Sequence, residues 1–182
     1  MTLSDTVWTS ATNMSTAIGS FYKSSGGSAW NAECASDLRS FDVGQEIEFT
    51  KITERSVIVG FGDGSTNIGN SQFKLGLRVE AVGAGSLGQM DYIVNGILYS
   101  GTANGVLETD VWKITIESDG YHFKKNGTDL ANGTYVPAGN IATVGNAYTQ
   151  FTTPVEVQDN AGSSPPTPSG DTLLLPPQVA WI

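Results

Sequence analysis

Val111-Trp112-Lys113-Ile114-Thr115-Ile116-Glu117-Ser118-Asp119-Gly120-Tyr121-His122-Phe123-Lys124-Lys125-Asn126-Gly127 is the stretch that decides the fold. Its first half alternates: Trp112, Ile114 and Ile116 fall on one side of an extended chain, Lys113, Thr115 and Glu117 on the other. Side chains of a strand leave opposite faces in turn, so this is a strand with one buried face. Asp119-Gly120 marks a turn, and Tyr121 to Lys125 then runs to Asn126-Gly127. Asn-Gly tolerates positive φ at both central positions of a type I′ hairpin, whose twist matches the strands it joins.

The same pattern extends outward. Glu46-Ile47-Glu48-Phe49-Thr50-Lys51-Ile52 puts Ile47 and Phe49 inward and Glu46, Glu48 and Thr50 outward. Val57-Ile58-Val59-Gly60-Phe61 reads as a more fully buried strand, and Phe73 to Glu80 alternates with Lys74 and Arg78 facing out. Tyr92-Ile93-Val94 meets Asn95-Gly96 before Ile97-Leu98-Tyr99; further turn signals stand at Asp63-Gly64, Asn104-Gly105 and Asn132-Gly133. Turns every ~10–15 residues belong to an antiparallel sandwich of ~10–12 strands between Val7 and Val157, not to βαβ units. The expected core includes Phe49, Val57, Val59, Leu75, Leu77, Trp112, Ile114 and Ile116. Ala32 to Phe41 lacks glycine but has no apolar stripe, and reads as strand and loop with one helical turn.

Composition excludes several classes. At 182 residues the chain suits one domain with a real core. A net charge of −9 with nine basic residues, the densest cluster being Lys124-Lys125, argues against nucleic acid, whose binders need clustered Lys or Arg. One cysteine, Cys34, leaves no internal disulfide, and one histidine, His122, leaves a Ser-His-Asp triad or a His-based metal site without material. Met1 to Asp5 lacks the basic and apolar regions of a signal peptide, and no run approaches the ~18 apolar residues of a membrane span. Synthesis in a cytoplasm, with no membrane partner, is therefore expected. Asn13, Asn126 and Asn132 head N-x-S/T triplets and read as turn residues rather than glycan acceptors.

Five segments carry a resemblance: Val7-Trp8-Thr9, Ser28 to Ala32, Val43 to Phe49, Val57 to Phe61, and Tyr121 to Leu130. Together they resemble the concanavalin A-like lectin/glucanase jelly roll, in the small SPRY-like form found in phage fibres and bacterial surface proteins. The resemblance spans roughly residues 5–158. It implies an all-β, two-sheet antiparallel sandwich with one concave sheet and rim loops that bind glycans or partners.

Glu46 and Glu48 are the best-placed paired carboxylates, with Cα atoms ~6.5–7 Å apart on one strand face. Glycosidases need such a pair with one acid of raised pKa. The glucanases of the resemblance carry Glu-x-Asp-x-x-Glu, and Glu46-Ile47-Glu48-Phe49-Thr50-Lys51 lacks the middle Asp and the final Glu. The pair therefore reads as a solvated strand face, and the chain as a non-enzyme with no catalytic residue, no cofactor and no metal. Glu117-Ser118-Asp119 ends a strand at a turn, where acids are routine. Asp63 with Asp91 would be the loop oxygens for calcium, but no Asp-x-Asp-x-Asp run supports that ion. His122 lies opposite Tyr121 and Phe123 and reads as exposed on a sheet. Trp8 and Trp112 read as core, while Trp30 and Tyr99, near glycine-rich loops, are the candidate glycan or partner contacts.

Five of the seven prolines lie beyond Asn160, which divides the chain into a sandwich, residues 1–160, and an extended Pro-rich tail, residues 161–182. The tail ends in an apolar segment whose Leu173, Leu174, Leu175, Val179, Trp181 and Ile182 have no core of their own. The combined reading is a structural virion protein: a phage fibre, head-decoration or spike subunit displaying a lectin-like sandwich at the virion surface. Its tail would anchor it to other virion proteins or to copies of itself, with a host surface glycan as a further partner. The alternative is a carbohydrate-binding module recognising a cell-surface glycan. Burying the six tail side chains would release on the order of 10 kcal/mol before ordering costs. Truncation after Asn160 should therefore leave the melting temperature nearly unchanged and abolish assembly; a sandwich that melts instead would make the tail an intramolecular strap.

Overall fold

A computed structural model describes residues 2–40, 42–52, 56–64, 69–80, 88–101, 105–135, 137–148, 150–151 and 153–160. Leu173, Leu174, Leu175, Val179, Trp181 and Ile182 lie outside these residues, as does Asn104. The described chain is all-β apart from one turn of 3-10 helix at Asn70–Gln72. Its strands are β1 (Ser4–Asp5), β2 (Trp8–Thr12), β3 (Met14–Ala17), β4 (Ser20–Lys23), β5 (Ala32–Ser36), β6 (Arg39–Ser40), β7 (Glu46–Thr50) and β8 (Ser56–Gly62). They continue as β9 (Phe73–Glu80), β10 (Gln89–Val94), β11 (Ile97–Ser100), β12 (Trp112–Glu117), β13 (Gly120–Lys125), β14 (Thr128–Gly133), β15 (Asn140–Ala147) and β16 (Val155–Asp159).

These strands form two antiparallel sheets. Sheet A runs β14-β13-β12-β7-β16-β4-β3, with β1 also paired to β16. Sheet B runs β11-β10-β9-β8-β15-β5-β2, with β6 also paired to β15. Sixteen strands exceed the ten to twelve expected. The excess comes from short Ser- and Thr-rich strands such as β1, β3 and β6, whose composition carries no alternation. Ala32–Ser36 is a strand held between β15 and β2, and no helical turn follows it among the described residues. Asn132-Gly133, expected to turn, closes β14 instead, opposite His122 and Tyr121.

The quoted hairpin forms as its pattern dictates. β12 pairs with β13 through Ile114↔Phe123 and Ile116↔Tyr121, and with β7 through Ile114↔Ile47. Asn126 and Gly127 take φ of 50° and 80°, and Asn95 and Gly96 take 49° and 79°, the paired positive values of a type I′ turn. All eight expected core residues are buried to 1% exposure or less. They sit in one inter-sheet cluster with Phe21, Phe61, Phe123, Val155 and Val157, and Trp8 is partly buried against it, edge-on to Phe21 at 5.6 Å.

Sheet B is also covered on its outer side. Ala35, Ile58, Phe73, Ile93, Ala142 and Val144 form a second apolar cluster there, against which Trp30 packs. This is why β8 reads as apolar on both faces: Val57, Val59 and Phe61 join the inter-sheet core, and Ile58 joins the outer cluster.

Two buried polar side chains tie the layers together. Asp159, on the inner face of β16, accepts hydrogen bonds from Thr6 Oγ1 (2.9 Å) and Thr143 Oγ1 (2.6 Å), and Arg39 Nη2 stands 3.6 Å away. Lys23, fully buried at the end of β4, donates to the backbone oxygens of Ala29 (2.5 Å) and Tyr148 (2.7 Å) and to Asn31 Oδ1 (2.7 Å). Its three N–H groups are thus matched by three neutral oxygens, and burial holds the ammonium below its ordinary pKa. Removing one partner of a buried pair leaves the other charge uncompensated. Asp159→Ala should cost about 3 kcal/mol in urea unfolding, and the double variant Arg39→Met/Asp159→Leu should recover most of that loss.

Candidate functional site

The inward residues of sheet A leave every second side chain on its outer face, and almost all of these are polar. β7 offers Glu46, Glu48 and Thr50; β16 offers Glu156 and Gln158; β12 offers Lys113, Thr115 and Glu117; β13 offers His122 and Lys124. Register sets the neighbours: Glu156 lies opposite Thr50 and Ser20, and Gln158 opposite Glu48 and Asp5.

A groove of about 690 Å³ runs over the β7, β16, β4 and β1 side of this face. Asp5, Ser20, Glu48, Thr50, Lys51, Glu108, Glu156 and Gln158 line it, with Ile18, Thr153 and Pro154 at its margin. That volume lies within the range of small-ligand clefts. Thr50 Oγ1 donates to Glu156 (3.3 Å), and Gln158 Nε2 donates to Asp5 (2.9 Å). Lys113 stands at one side, 3.1 Å from Glu48 and 3.7 Å from Glu46. Lys51 enters the groove directly after β7 with φ of 64°, a left-handed conformation uncommon for a residue other than Gly, Asn or Asp.

The other half of the face is a closed charge network. His122 Nδ1 lies 3.1 Å from Asp129, and its Nε2 lies 3.3 Å from Asp119 and 4.0 Å from Glu117. Lys124 Nζ lies 2.9 Å from Glu117 and 3.8 Å from Asp129. The His122 side chain is only 14% exposed, more enclosed than its outward position implied. Desolvation pushes the imidazole pKa down, but hydrogen bonds to Asp119 and Asp129 and the Glu117 charge outweigh it, so the net shift is upward. Glu117 is lowered by its hydrogen bonds from Lys124 and Thr115, and Asp119 by its bond to His122. Donor atoms of Glu117, Asp119 and His122 lie within 4.8 Å of one another, close enough to share a divalent cation. Lys124 already supplies a positive charge there.

Neither aromatic singled out from the sequence lies in the groove. Trp30 packs on the outer side of sheet B, 5.5 Å from the Tyr148 ring and with the Arg78 guanidinium 5.3 Å from its centroid. Lys23 fixes this corner, because its acceptors flank Trp30 and include the carbonyl of Tyr148. Tyr99 is 42% exposed on edge strand β11, stacked on Tyr92 at 5.4 Å. The two are not brought together. Asp91 is not a loop oxygen for calcium: it is buried within β10, 3.8 Å from Arg78 and hydrogen-bonded by Gln89. Asp5, Ser20, Glu108, Glu156 and Gln158 carry no site motif in the sequence. Val155-Glu156-Val157-Gln158-Asp159 alternates as β7 does, and that was the available signal. That β16 lies beside β7 was not written in it.

No family model matches the chain, and no curated protein matches it. Solved structures do. The SPRY domain of human HERC1 is 15% identical, with a TM-score of 0.59 over 84% of this chain and 96% of that one. The exoplasmic/lumenal domain of VIP36, in its Ca2+/Man3GlcNAc-bound form, is 8% identical, with a TM-score of 0.58 over 91% and 88%. The carbohydrate recognition domain of Emp47p is 10% identical, with a TM-score of 0.51 over 84% and 87%. The fold is a concanavalin A-like jelly roll. At these identities the likeness concerns the fold alone.

The charge network predicts a pH response with a definite sign. His122 titrates above its ordinary 6.5 in the folded chain, so its stabilisation is complete below that value and is lost as pH rises through the folded value. The difference in urea midpoint between the parent and His122→Gln should therefore be largest near about pH 5.5 and shrink toward about pH 8.5.

Proposed function

We propose that this sandwich is a non-catalytic carbohydrate-binding module with the groove on sheet A as its ligand site. The observation that carries this is the groove floor. Thr50, Glu156 and Ser20 form one outward row and Glu48, Gln158 and Asp5 the next, on strands about 4.8 Å apart. Carboxylate, amide and hydroxyl groups in these rows can each hydrogen-bond hydroxyls along one edge of a sugar ring. Support also comes from two proteins of the same fold, VIP36 with its bound Man3GlcNAc and Emp47p with its carbohydrate recognition domain.

A binding role suits the carboxylates better than hydrolysis. Glycoside cleavage needs one carboxyl in an apolar setting that keeps its proton. Glu46 and Glu48 instead share Lys113 on a polar face. Display at a virion surface through residues 171–182 belongs to the same proposal; it rests on the tail sequence and is tested by the truncation already described.

Titration against a panel of soluble polysaccharides should find a binder. Glu156→Ala and Gln158→Ala should each weaken it about tenfold, the loss of ~1.4 kcal/mol expected for one hydrogen bond to a ligand, with little change in melting temperature. Binding to no polysaccharide would refute the proposal. Sugar hydrolysis that disappears in Glu46→Gln/Glu48→Gln would make the chain an enzyme.

A further inference from the structure

We infer that the groove selects sugars bearing free amines, namely oligomers or polymers of unacetylated hexosamine. The inference rests on the groove being a carbohydrate site and adds the chemical class of its ligand. Four carboxylates, from Asp5, Glu48, Glu108 and Glu156, line the groove against one ammonium, from Lys51. Glu48 is paired by Lys113. Among the described residues no Lys or Arg lies within ion-pair distance of Asp5, Glu108 or Glu156. Glu156 and Asp5 each accept one hydrogen bond, from Thr50 and Gln158, and each keeps its second oxygen for a ligand.

A neutral sugar seated there would cover ionised carboxylates without returning a charge, and covering an unpaired charge is costly. A uronic or sialic acid would bring like charge against like. An ammonium on the ring compensates the carboxylates and donates charge-assisted hydrogen bonds, roughly twice as strong as neutral ones. A lysine-rich peptide carries the same charge, but each of its side chains loses rotamer freedom on binding. The amine of a hexosamine is already fixed on its ring, beside hydroxyls that the Ser20, Thr50 and Gln158 side chains can bond. The observations therefore favour the sugar.

The test is calorimetric titration of the full chain with length-matched oligomers: glucosamine, N-acetylglucosamine, glucose and galacturonic acid, with a lysine peptide of equal charge alongside. The glucosamine oligomer should bind at least about tenfold more tightly than its acetylated counterpart, and the gap should shrink as salt screens the charges. Glu108→Gln and Glu156→Gln, which keep hydrogen-bonding amides, should narrow that gap. Lys51→Ala should widen it. Equal or tighter binding of the acetylated, neutral or acidic oligomer overturns charge selection while leaving the carbohydrate reading standing. A lysine peptide that binds as tightly as the glucosamine oligomer overturns it in favour of a peptide groove. If no oligosaccharide binds, the carbohydrate reading fails and the inference with it.

Discussion

Sheet B must be kept from water on both sides, whereas sheet A needs only one side dry. Everything else follows from this asymmetry. The inter-sheet cluster satisfies the shared face, and the Ile58, Phe73, Ile93, Val144 cluster with Trp30 satisfies the far side of sheet B. Sheet A is left with one free face, on which each outward residue of β7, β12, β13 and β16 can be polar without any cost in core packing. The polar groove forms on the face where the fold does not require apolar cover.

Buried polar groups then fix what burial alone leaves loose. Apolar contacts are non-directional, so two packed sheets can slide. Asp159 resists sliding by holding Thr143 of β15, Arg39 of β6 and Thr6 between β1 and β2 on a single carboxylate. Lys23 acts similarly at the end of β4, joining the loop around Trp30 to the segment after β15. Each is directional and fully matched, which is the condition under which a buried polar group helps rather than harms.

The sequence showed the fold because alternation is written into neighbouring residues. Trp112-Lys113-Ile114-Thr115-Ile116 announces its own two faces, and Asn126-Gly127 announces its own turn. The groove was not legible in the same way. Asp5, Ser20, Thr50 and Glu156 are far apart in the chain and come together through the pairings of β1, β4, β7 and β16, and Glu108 joins them from the segment before β12. Pairing order is a property of the whole sheet. Trp30 stands beside glycines, a setting that suggests a contact surface, and it also packs against the apolar outer cluster of sheet B. The short strands β1, β3 and β6 are not legible in the sequence because Ser, Thr and Arg follow the sheet passively and do not drive it.

The strict alternation of β7 and β16 has a consequence for how such a scaffold can change. Ile47, Phe49, Val155 and Val157 hold the sandwich closed, while Glu48, Thr50, Glu156 and Gln158 between them take no part in the buried core. Structural and recognition duties therefore fall on separate residues of the same strand. The lining can be rewritten position by position, by selection or at the bench, without renegotiating the core. A library confined to those outward sites would explore new ligands on an unaltered frame.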